Sequence, residues 1–341
     1  MGWPGEQLLS RLWESLADKG VGSLLKPGQM RREGLVHLEL KRAELLSLAQ
    51  TERDAEDIKS GRKDISELSM SLGLAKEATL KPLSVERKEP VLNIQDALKY
   101  GREFVVSDAV RREINTSGSI IFAEEALCND SDPAPDSKVD DDWLYRWRDY
   151  TGEVSDADLQ KIWGRLLAGE IKTPGTYSLR CLDFLRNLSQ AEAELIAKIS
   201  ASVTNGFIWR PDDNIYPISF DEVLTLQEMG LLIGADSIGL NFTLSKNVQP
   251  NGSWLSILHS YEKCLIVRGE PDTYESLLQI NVISVSGLGR QILGLGDFKA
   301  DSAYLQKFGK YISSLGAKVS IATSAPSAPG YVSWKDERIV V

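Results

Sequence analysis

Residues 155–169 read Ser-Asp-Ala-Asp-Leu-Gln-Lys-Ile-Trp-Gly-Arg-Leu-Leu-Ala-Gly, and no other stretch predicts its structure as clearly. Ser155 and Asp158 have the spacing of a capping box, in which each side chain accepts a hydrogen bond from the other residue's backbone N–H. Gly169 is expected to end the helix. Between these signals, apolar residues recur with the period of one helix face, at Leu159, Ile162, Trp163, Leu166 and Leu167. The pattern predicts an amphipathic helix that packs against a core.

Helical signals dominate the rest of the chain as well. Capping boxes at Ser189/Glu192 and Ser219/Glu222 predict two further helices. Apolar periodicity predicts a short helix over 6–18, a long charged helix over 27–58, and renewed helix over 93–105. Strict alternation of apolar residues, which indicates strands, appears only late, at 238–244 and 278–282. We therefore predict a mainly α fold.

The predicted organisation has five parts. An N-terminal helical arm (1–127) precedes an acidic linker (128–142), whose six aspartates and two prolines favour a solvated loop. A central helical motif domain (143–186) leads to a C-terminal α+β module (187–322) and a tail (323–341). The order of helices and strands makes the C-terminal module winged-helix-like. Its second helix carries three acids and no Arg or Lys, so a structural or protein-binding role is favoured over reading DNA.

Composition excludes several classes of protein. The 341 residues carry 39 Lys and Arg against 49 Asp and Glu, a net charge of −10, and no third of the chain has the basic excess of a dedicated DNA-binding domain. Three dispersed cysteines and two histidines predict neither a disulfide framework nor a zinc site. There is no apolar run of about 18 residues and no secretory signal pattern, so we expect a cytoplasmic protein without a membrane span.

Motifs that would indicate chemistry are weak. The glycine-rich run 287–296 follows a predicted strand, but Ile292 occupies the place of the third glycine of a dinucleotide-binding loop. Acids such as Asp140–Asp142 are adjacent on a solvated stretch, where paired carboxylates are expected without catalysis. His37 and His259 each stand alone. We predict no catalytic residue, no cofactor site and no metal site.

One pattern resembles a known family. It comprises Asp142-Trp143-Leu, Val154-Ser-Asp-Ala-Asp-Leu-Gln160-Lys-Ile-Trp163, Leu167-Ala-Gly169-Glu170, Pro174-Gly175-x-Tyr177-Ser178-x-Arg180 and Leu188-Ser-x-x-Glu192-Ala. These segments are similar to the core of a bacterial family catalogued only as a domain of unknown function. The resemblance implies a shared fold and an association with anti-phage defence, but no activity or cofactor.

The same pattern supplies the candidate structural or interaction motif. Trp143 and Trp163 are expected in the core, Gln160 is expected to bond nearby backbone, and Glu170 is expected to pair with Arg180 across a turn. The full set is Trp143, Gln160, Trp163, Gly169, Glu170, Pro174, Gly175, Ser178 and Arg180. A structural role is favoured over a catalytic cluster.

Together these observations predict a non-catalytic assembly or sensing component that binds another protein or a second copy of itself, in bacterial anti-phage defence. The arm would supply the contact through an apolar helix face. A nucleic-acid-binding regulator that uses the C-terminal module is the first alternative. A metal-dependent nuclease or hydrolase that uses acids such as Asp140–Asp142 is the second.

Overall fold

The computed structural model describes residues 5–21, 60, 94–211, 218–235, 240–271, 279–325 and 333–340. For residues 94–100 it describes the backbone alone. The helix predicted over 27–58 lies outside these residues. The chain divides into two compact units, Met1–Pro174 and Gly175–Val341. The boundaries of the five predicted parts stay a prediction.

The first unit is a helical bundle in the residues described. Its helices are α1 (Glu6–Ala17), α2 (Ile94–Leu127), α3 (Asp141–Thr151) and α4 (Ala157–Lys172). The most extensive packing joins α2 to α4, and α1 and α3 each contact both of these helices. The apolar face of α1 is buried in this bundle through Leu8, Leu9, Leu12 and Leu16. Burial of that face stabilises a helix too short to persist alone in water.

The α2–α4 contact depends on a close approach of the two backbones. A Cβ atom on Gly164 of α4 would lie 2.7 Å from the carbonyl oxygen of Ser119 on α2. Around this point α2 is buried on every side, since each residue from 115 to 121 is inaccessible to solvent. The buried sequence is Asn-Thr-Ser-Gly-Ser-Ile-Ile, so small side chains allow the helices to meet.

The limits of α4 differ from those predicted. Asp156, rather than Ser155, is the N-cap, and its side chain accepts a hydrogen bond from the Leu159 N–H at 3.0 Å. The helix also continues through Gly169 to Lys172. Glycine costs a helix interior about 1 kcal/mol, and burial of Ile171 beyond it favours continuation.

The second unit combines helices with two antiparallel sheets. Its helices are α5 (Leu179–Asn187), α6 (Gln190–Ser200), α7 (Phe220–Glu228), α8 (Gly287–Leu293) and α9 (Ser302–Ser314). Its strands are β1 (Phe207–Trp209), β2 (Leu232–Ile233), β3 (Leu240–Thr243), β4 (Asn247–Val248), β5 (Trp254–Ser260), β6 (Lys263–Gly269), β7 (Gln279–Val285), β8 (Lys318–Ala325) and β9 (Ser333–Ile339). The capping boxes predicted at Ser189 and Ser219 are confirmed.

The two sheets are organised differently. In the four-stranded sheet, β7 pairs with β1, β2 and β3, with Ile208 opposite Ile283 and Phe242 opposite Ile280. The five-stranded sheet has the order β4-β5-β6-β8-β9. Helix α9 packs against both: the Phe308 ring lies 5.2 Å from that of Trp209, and Gly309 lies close to the Val319 side chain. Packing of both sheets against α9 forms the core of this unit.

The prediction of a mainly α fold with a winged-helix-like C-terminal module is wrong. Within the described residues, the C-terminal part of the chain contains two antiparallel sheets, of four and five strands. The error has a physical cause in β6, where Cys264, Leu265, Ile266 and Val267 are all buried. A strand covered on both faces shows an apolar run instead of alternation, so period-2 patterning does not reveal it.

None of the helices within the described ranges is both long and apolar enough to cross a membrane.

Candidate interaction surface

Four of the sequence-predicted motif residues are buried in the first unit. Trp143, Gln160, Trp163 and Glu170 are at most 9% exposed. Trp143 belongs to α3, and the other three lie on the buried side of α4. Burial of this kind suits residues that hold helices together and leaves little surface for a ligand.

Two hydrogen bonds to backbone carbonyl oxygens join this region. The indole Nε1 of Trp147, a residue outside the predicted set, donates to the carbonyl oxygen of Trp163 at 3.0 Å. The amide Nε2 of Gln160 donates to the carbonyl oxygen of Val154 at 2.8 Å. Gln160 therefore bonds nearby backbone, as its place in the motif predicts, and ties the start of α4 to the preceding turn.

The remaining motif residues lie on both sides of the boundary between the two units. Gly169 accepts the hydrogen bond from the Thr173 N–H at 2.9 Å near the end of α4, and Pro174 is the last residue of the first unit. Gly175 has a φ of +89°, a left-handed conformation that favours glycine. Glu170 lies in one unit and Arg180 in the other, and their pairing stays a prediction.

Ser178 has a defined role at the start of α5. Its side chain accepts a hydrogen bond from the Cys181 N–H at 3.3 Å, which makes it the N-cap. Its hydroxyl also donates to Oε1 of Gln291 at 2.9 Å. Arg180, two residues later on the same helix, is exposed. The motif thus supplies a helix cap and leaves a cation on the surface.

The acidic linker is held in place by cations from its own unit. Lys172 Nζ lies 2.7 Å from a carboxylate oxygen of Asp130 and 2.6 Å from one of Asp132. The hydrogen bond from Lys172 lowers the pKa of Asp130 below its ordinary value. Asp140 caps α3 by accepting from the Trp143 N–H. Across the ranges the structure describes, no group of three His, Cys, Asp or Glu side chains is placed to hold a metal ion.

Arg11 of α1 forms hydrogen bonds with the backbone in the middle of the same linker. Its Nη2 donates to the carbonyl oxygens of Pro135, Asp136 and Ser137 at 3.0, 2.8 and 3.2 Å. Nη2 carries two N–H groups, so at least one of them is shared between two of these carbonyl oxygens. The linker is therefore a bonded part of the first unit.

Exposed apolar side chains mark the amino-terminal half of α2. Phe104, Val105 and Val106 are 69%, 66% and 64% exposed. Consecutive helix residues are rotated by about 100°, so these three surround more than half of the helix. Several large apolar side chains exposed to water on one stretch of helix indicate an interaction site. We call residues 102–113 the α2 segment.

Charges on the α2 segment balance each other. It contains three bases and three acids, although the whole chain carries −10. The Asp108 carboxylate accepts from Arg111 Nη2 at 2.6 Å and from Arg112 Nε at 2.8 Å. These guanidinium groups hold the pKa of Asp108 below its ordinary value, Arg111 contributing most. A helix that has no net charge and exposes apolar side chains suits a protein partner better than a phosphate backbone or an anionic membrane.

The α2 segment is joined firmly to the bundle at its carboxyl end. Asn115 Nδ2 donates to the carbonyl oxygen of Gly152 at 2.9 Å, and Arg112 pairs with Glu153 at 3.3 Å. Because α2 continues without a break into the buried residues 115–121, the bundle fixes the direction of the exposed half. A partner would meet a preformed helix rather than order a loop, which lowers the entropic cost of binding.

Sequence patterning predicts a helix here but misses the surface. The apolar helix pattern includes Phe104 and does not single out Val105 or Val106. One signal is present in the sequence: three adjacent apolar residues cannot all lie on a single buried helix face. The sequence does not say which half of α2 the bundle covers, and the structure shows that these three residues lie in the half that is exposed.

The comparisons with known proteins give one match. Residues 119–206, 88 of the 341 residues, match the model of a family described as a protein of unknown function (DUF2806). The resemblance to a family of unknown function is therefore confirmed for this stretch, which includes every candidate motif residue. No curated protein and no solved structure matches the chain.

Proposed function

We propose that this chain is a non-catalytic assembly component that binds a protein partner through the α2 segment. The observation that carries the proposal is the exposure of Phe104, Val105 and Val106, side by side on a helix whose other half is the core of its unit. Burying an apolar side chain of this size contributes about 1.5–3 kcal/mol. With roughly two-thirds of each still exposed, a partner could gain several kcal/mol from these side chains before the cost of association.

The arrangement of the acids supports a non-catalytic role. Asp130 and Asp132 pair with Lys172, and Asp140 caps a helix. Each of these carboxylates therefore has a structural task in the first unit. We further propose that the protein works in the bacterial cytoplasm and in anti-phage defence. That part of the proposal is supported by the family resemblance and not by the geometry.

The test is a comparison of three full-length proteins. The double variant Val105→Asp/Val106→Asp replaces two exposed valines of the α2 segment with negatively charged side chains. Leu159→Asp is the matched control, because Leu159 is also apolar and 48% exposed but lies on α4. Native mass spectrometry of each tagged protein measures its stoichiometric protein complexes, and circular dichroism checks its helix content.

We expect the wild type and the Leu159→Asp control to retain the same complex and the double variant to lose it, at equal helix content. Loss of at least tenfold in affinity corresponds to about 1.4 kcal/mol, less than the burial of one valine contributes. A double variant that keeps the complex would contradict the proposal, and so would a wild type that binds no protein at all.

A further inference from the structure

Helix α9 covers only part of the five-stranded sheet in the second unit. On the face that packs against α9, Val319 of β8 is buried, whereas Ile321 and Thr323 of the same strand are partly exposed. Alternate residues of a strand lie on one face of the sheet, so α9 leaves one end of this face open. The opening is a cleft of about 470 Å³. Small-molecule sites in proteins have volumes in this range.

Three basic residues lie at the open end of this face. Lys263 of β6 pairs with Thr323 of β8, and Thr323 pairs with Lys335 of β9. Residues directly opposite each other on neighbouring strands share one face of a sheet. Arg338 pairs with Ile321 and therefore lies on that face too. Lys263 and Arg338 line the cleft itself. Cations from two strands, β6 and β9, are thus brought to one opening.

A β-bulge in β9 is the reason that two of these cations share a face. Asp336 and Glu337 together lie opposite the single residue Ala322 of β8. Residues three apart in a regular strand point to opposite faces, but across this extra residue Lys335 and Arg338 point to the same face. Asp336 accommodates the bulge in the left-handed conformation, with a φ of +56°. Bulges commonly redirect side chains next to functional sites.

The three cations can still donate hydrogen bonds to a ligand. In the part of the chain that the structure describes, the side chains of Lys335 and Arg338 have neither a hydrogen-bond acceptor nor an acidic partner. The ammonium group of Lys263 donates to the hydroxyl of Ser302, at the start of α9. That bond uses one of its three N–H groups. Cations placed in this way beside a cleft can bind an anion through charge-assisted hydrogen bonds.

The balance of charge at the cleft indicates which anion fits. Asp336 is the one acid among the lining residues. Glu262 and Asp301 lie near Ser302, but their carboxylates accept hydrogen bonds from backbone N–H groups. With Lys335 beside them, the lining residues therefore carry an excess of two positive charges. A phosphate monoester carries about −1.5 to −2 at pH 7, which matches that excess.

We infer that this cleft binds a small phosphate monoester, whose phosphoryl group lies between Lys263, Lys335 and Arg338. The inference goes beyond the proposed function and does not depend on the α2 segment, because the cleft lies wholly in the second unit. The rest of the cleft is lined by apolar and polar side chains, including Val340 and Gln306, which suits an organic group with hydroxyls. A polynucleotide is disfavoured because the chain carries a net charge of −10.

Methyl NMR of the full-length protein labelled at isoleucine tests this assignment. Ile321 lines the cleft, and Ile120, buried in the first unit, serves as the internal reference. Inorganic phosphate and ribose 5-phosphate are titrated at constant ionic strength, with ribose as the control that has no phosphate. We expect the Ile321 signal to move and saturate with both phosphates, at lower concentration with ribose 5-phosphate, while Ile120 stays unchanged. An Ile321 signal that ignores both phosphates, or responds equally to ribose, would overturn the inference.

Three variants assign the binding to the charges of the cleft. Arg338→Gln should weaken the binding of ribose 5-phosphate about tenfold. Asp336→Asn should tighten it about fivefold, because it removes a nearby negative charge and asparagine also adopts the left-handed conformation. Lys310→Gln is the matched control, since Lys310 is exposed on α9 but does not line the cleft. Circular dichroism checks that each variant is folded. Folded Arg338→Gln that binds like the wild type, or Asp336→Asn that binds more weakly, would contradict the site.

A single-stranded oligothymidylate separates the small molecule from nucleic acid. We expect it to move the Ile321 signal less than ribose 5-phosphate does at equal concentration of phosphate groups. If the oligothymidylate binds more tightly, and Arg338→Gln abolishes that binding, the small monoester is excluded and the cleft belongs to a nucleic-acid surface.

Discussion

Replacement of Gly164 by alanine should destabilise the first unit, although alanine is the better helix former. A Cβ atom at this position would lie 2.6 Å from Cβ of Phe122, 2.7 Å from the carbonyl oxygen of Ser119 and 2.9 Å from the backbone nitrogen of Ala123. Two of these three atoms belong to the backbone of α2. They cannot move without shifting the helix, so α2 and α4 must separate to admit one methyl group.

The size of the effect follows from two opposed contributions. Alanine in place of glycine favours a helix interior by about 1 kcal/mol. Overpacking a well-packed core costs about 1–3 kcal/mol, and more where only backbone can yield. We expect the steric cost to exceed the gain and the free energy of unfolding to fall by roughly 1–3 kcal/mol. For a unit of this size each kcal/mol lowers Tm by about 2–4 °C.

Two glycines of α2 supply matched controls for Gly164. A Cβ atom on Gly101 would meet no atom of the described residues within 4 Å, apart from its chain neighbours and its own helix backbone, so Gly101→Ala should stabilise by up to about 1 kcal/mol. At Gly118 a Cβ would meet Oε1 of Gln160 at 2.4 Å. That amide can turn away, but doing so endangers its hydrogen bond to Val154, so Gly118→Ala should cost about 1 kcal/mol.

Urea denaturation of the full-length chain measures the series. Hydrogen exchange of peptides from residues 115–127 assigns the change to the α2–α4 contact. The expected order of midpoints is Gly101→Ala highest, then wild type, Gly118→Ala and Gly164→Ala. A Gly164→Ala protein as stable as the wild type would refute the close approach of the two backbones.

Two predictions concern the second unit. The carboxylate of Glu337 has its pKa lowered to about 2, chiefly by the hydrogen bond from Arg268. The stability that it contributes is therefore present above its ordinary pKa and is lost as the pH falls from about 5 to about 2. Arg268→Gln should flatten this dependence of stability on pH, and urea midpoints of both proteins across the range would contradict the prediction if the two lost stability equally. Tyr304 is fully buried, and its hydroxyl oxygen accepts a hydrogen bond from the backbone N–H of Trp209 at 2.7 Å. Tyr304→Phe should therefore lower the free energy of unfolding by about 1–3 kcal/mol. An unchanged urea midpoint would show that another acceptor replaces the hydroxyl.

Local signals were the part of the fold that the sequence could predict. The capping boxes at Ser189 and Ser219 are complete within four residues each, and both helices begin where predicted. The start of α4 was misplaced by one residue because Ser155 and Asp156 are both capable N-caps. Choosing between them depends on which backbone geometry the surrounding bundle accepts, and that is not a local property.

The five-stranded sheet could not be predicted in the same way. Strand β6 pairs with β8, so that Lys263 lies opposite Thr323, sixty residues further along the chain. Such pairing depends on contacts between distant segments. A buried apolar run such as Cys264–Val267 is compatible with either a helix or a strand when it is read alone.

The candidate surface shows the same limit most directly, because α2 reverses the usual relation between hydrophobicity and burial. Its exposed half contains Phe104, Val105 and Val106, whereas its buried half begins with Asn115 and Thr116. The buried half can be polar because α4 approaches too closely for large side chains and because Asn115 bonds the carbonyl oxygen of Gly152. The described residues of the unit give no comparable account of the exposed half. Bulky apolar residues on a helix that the bundle already holds in place add nothing to the fold while they face water, and a second helix laid against them would supply the missing burial.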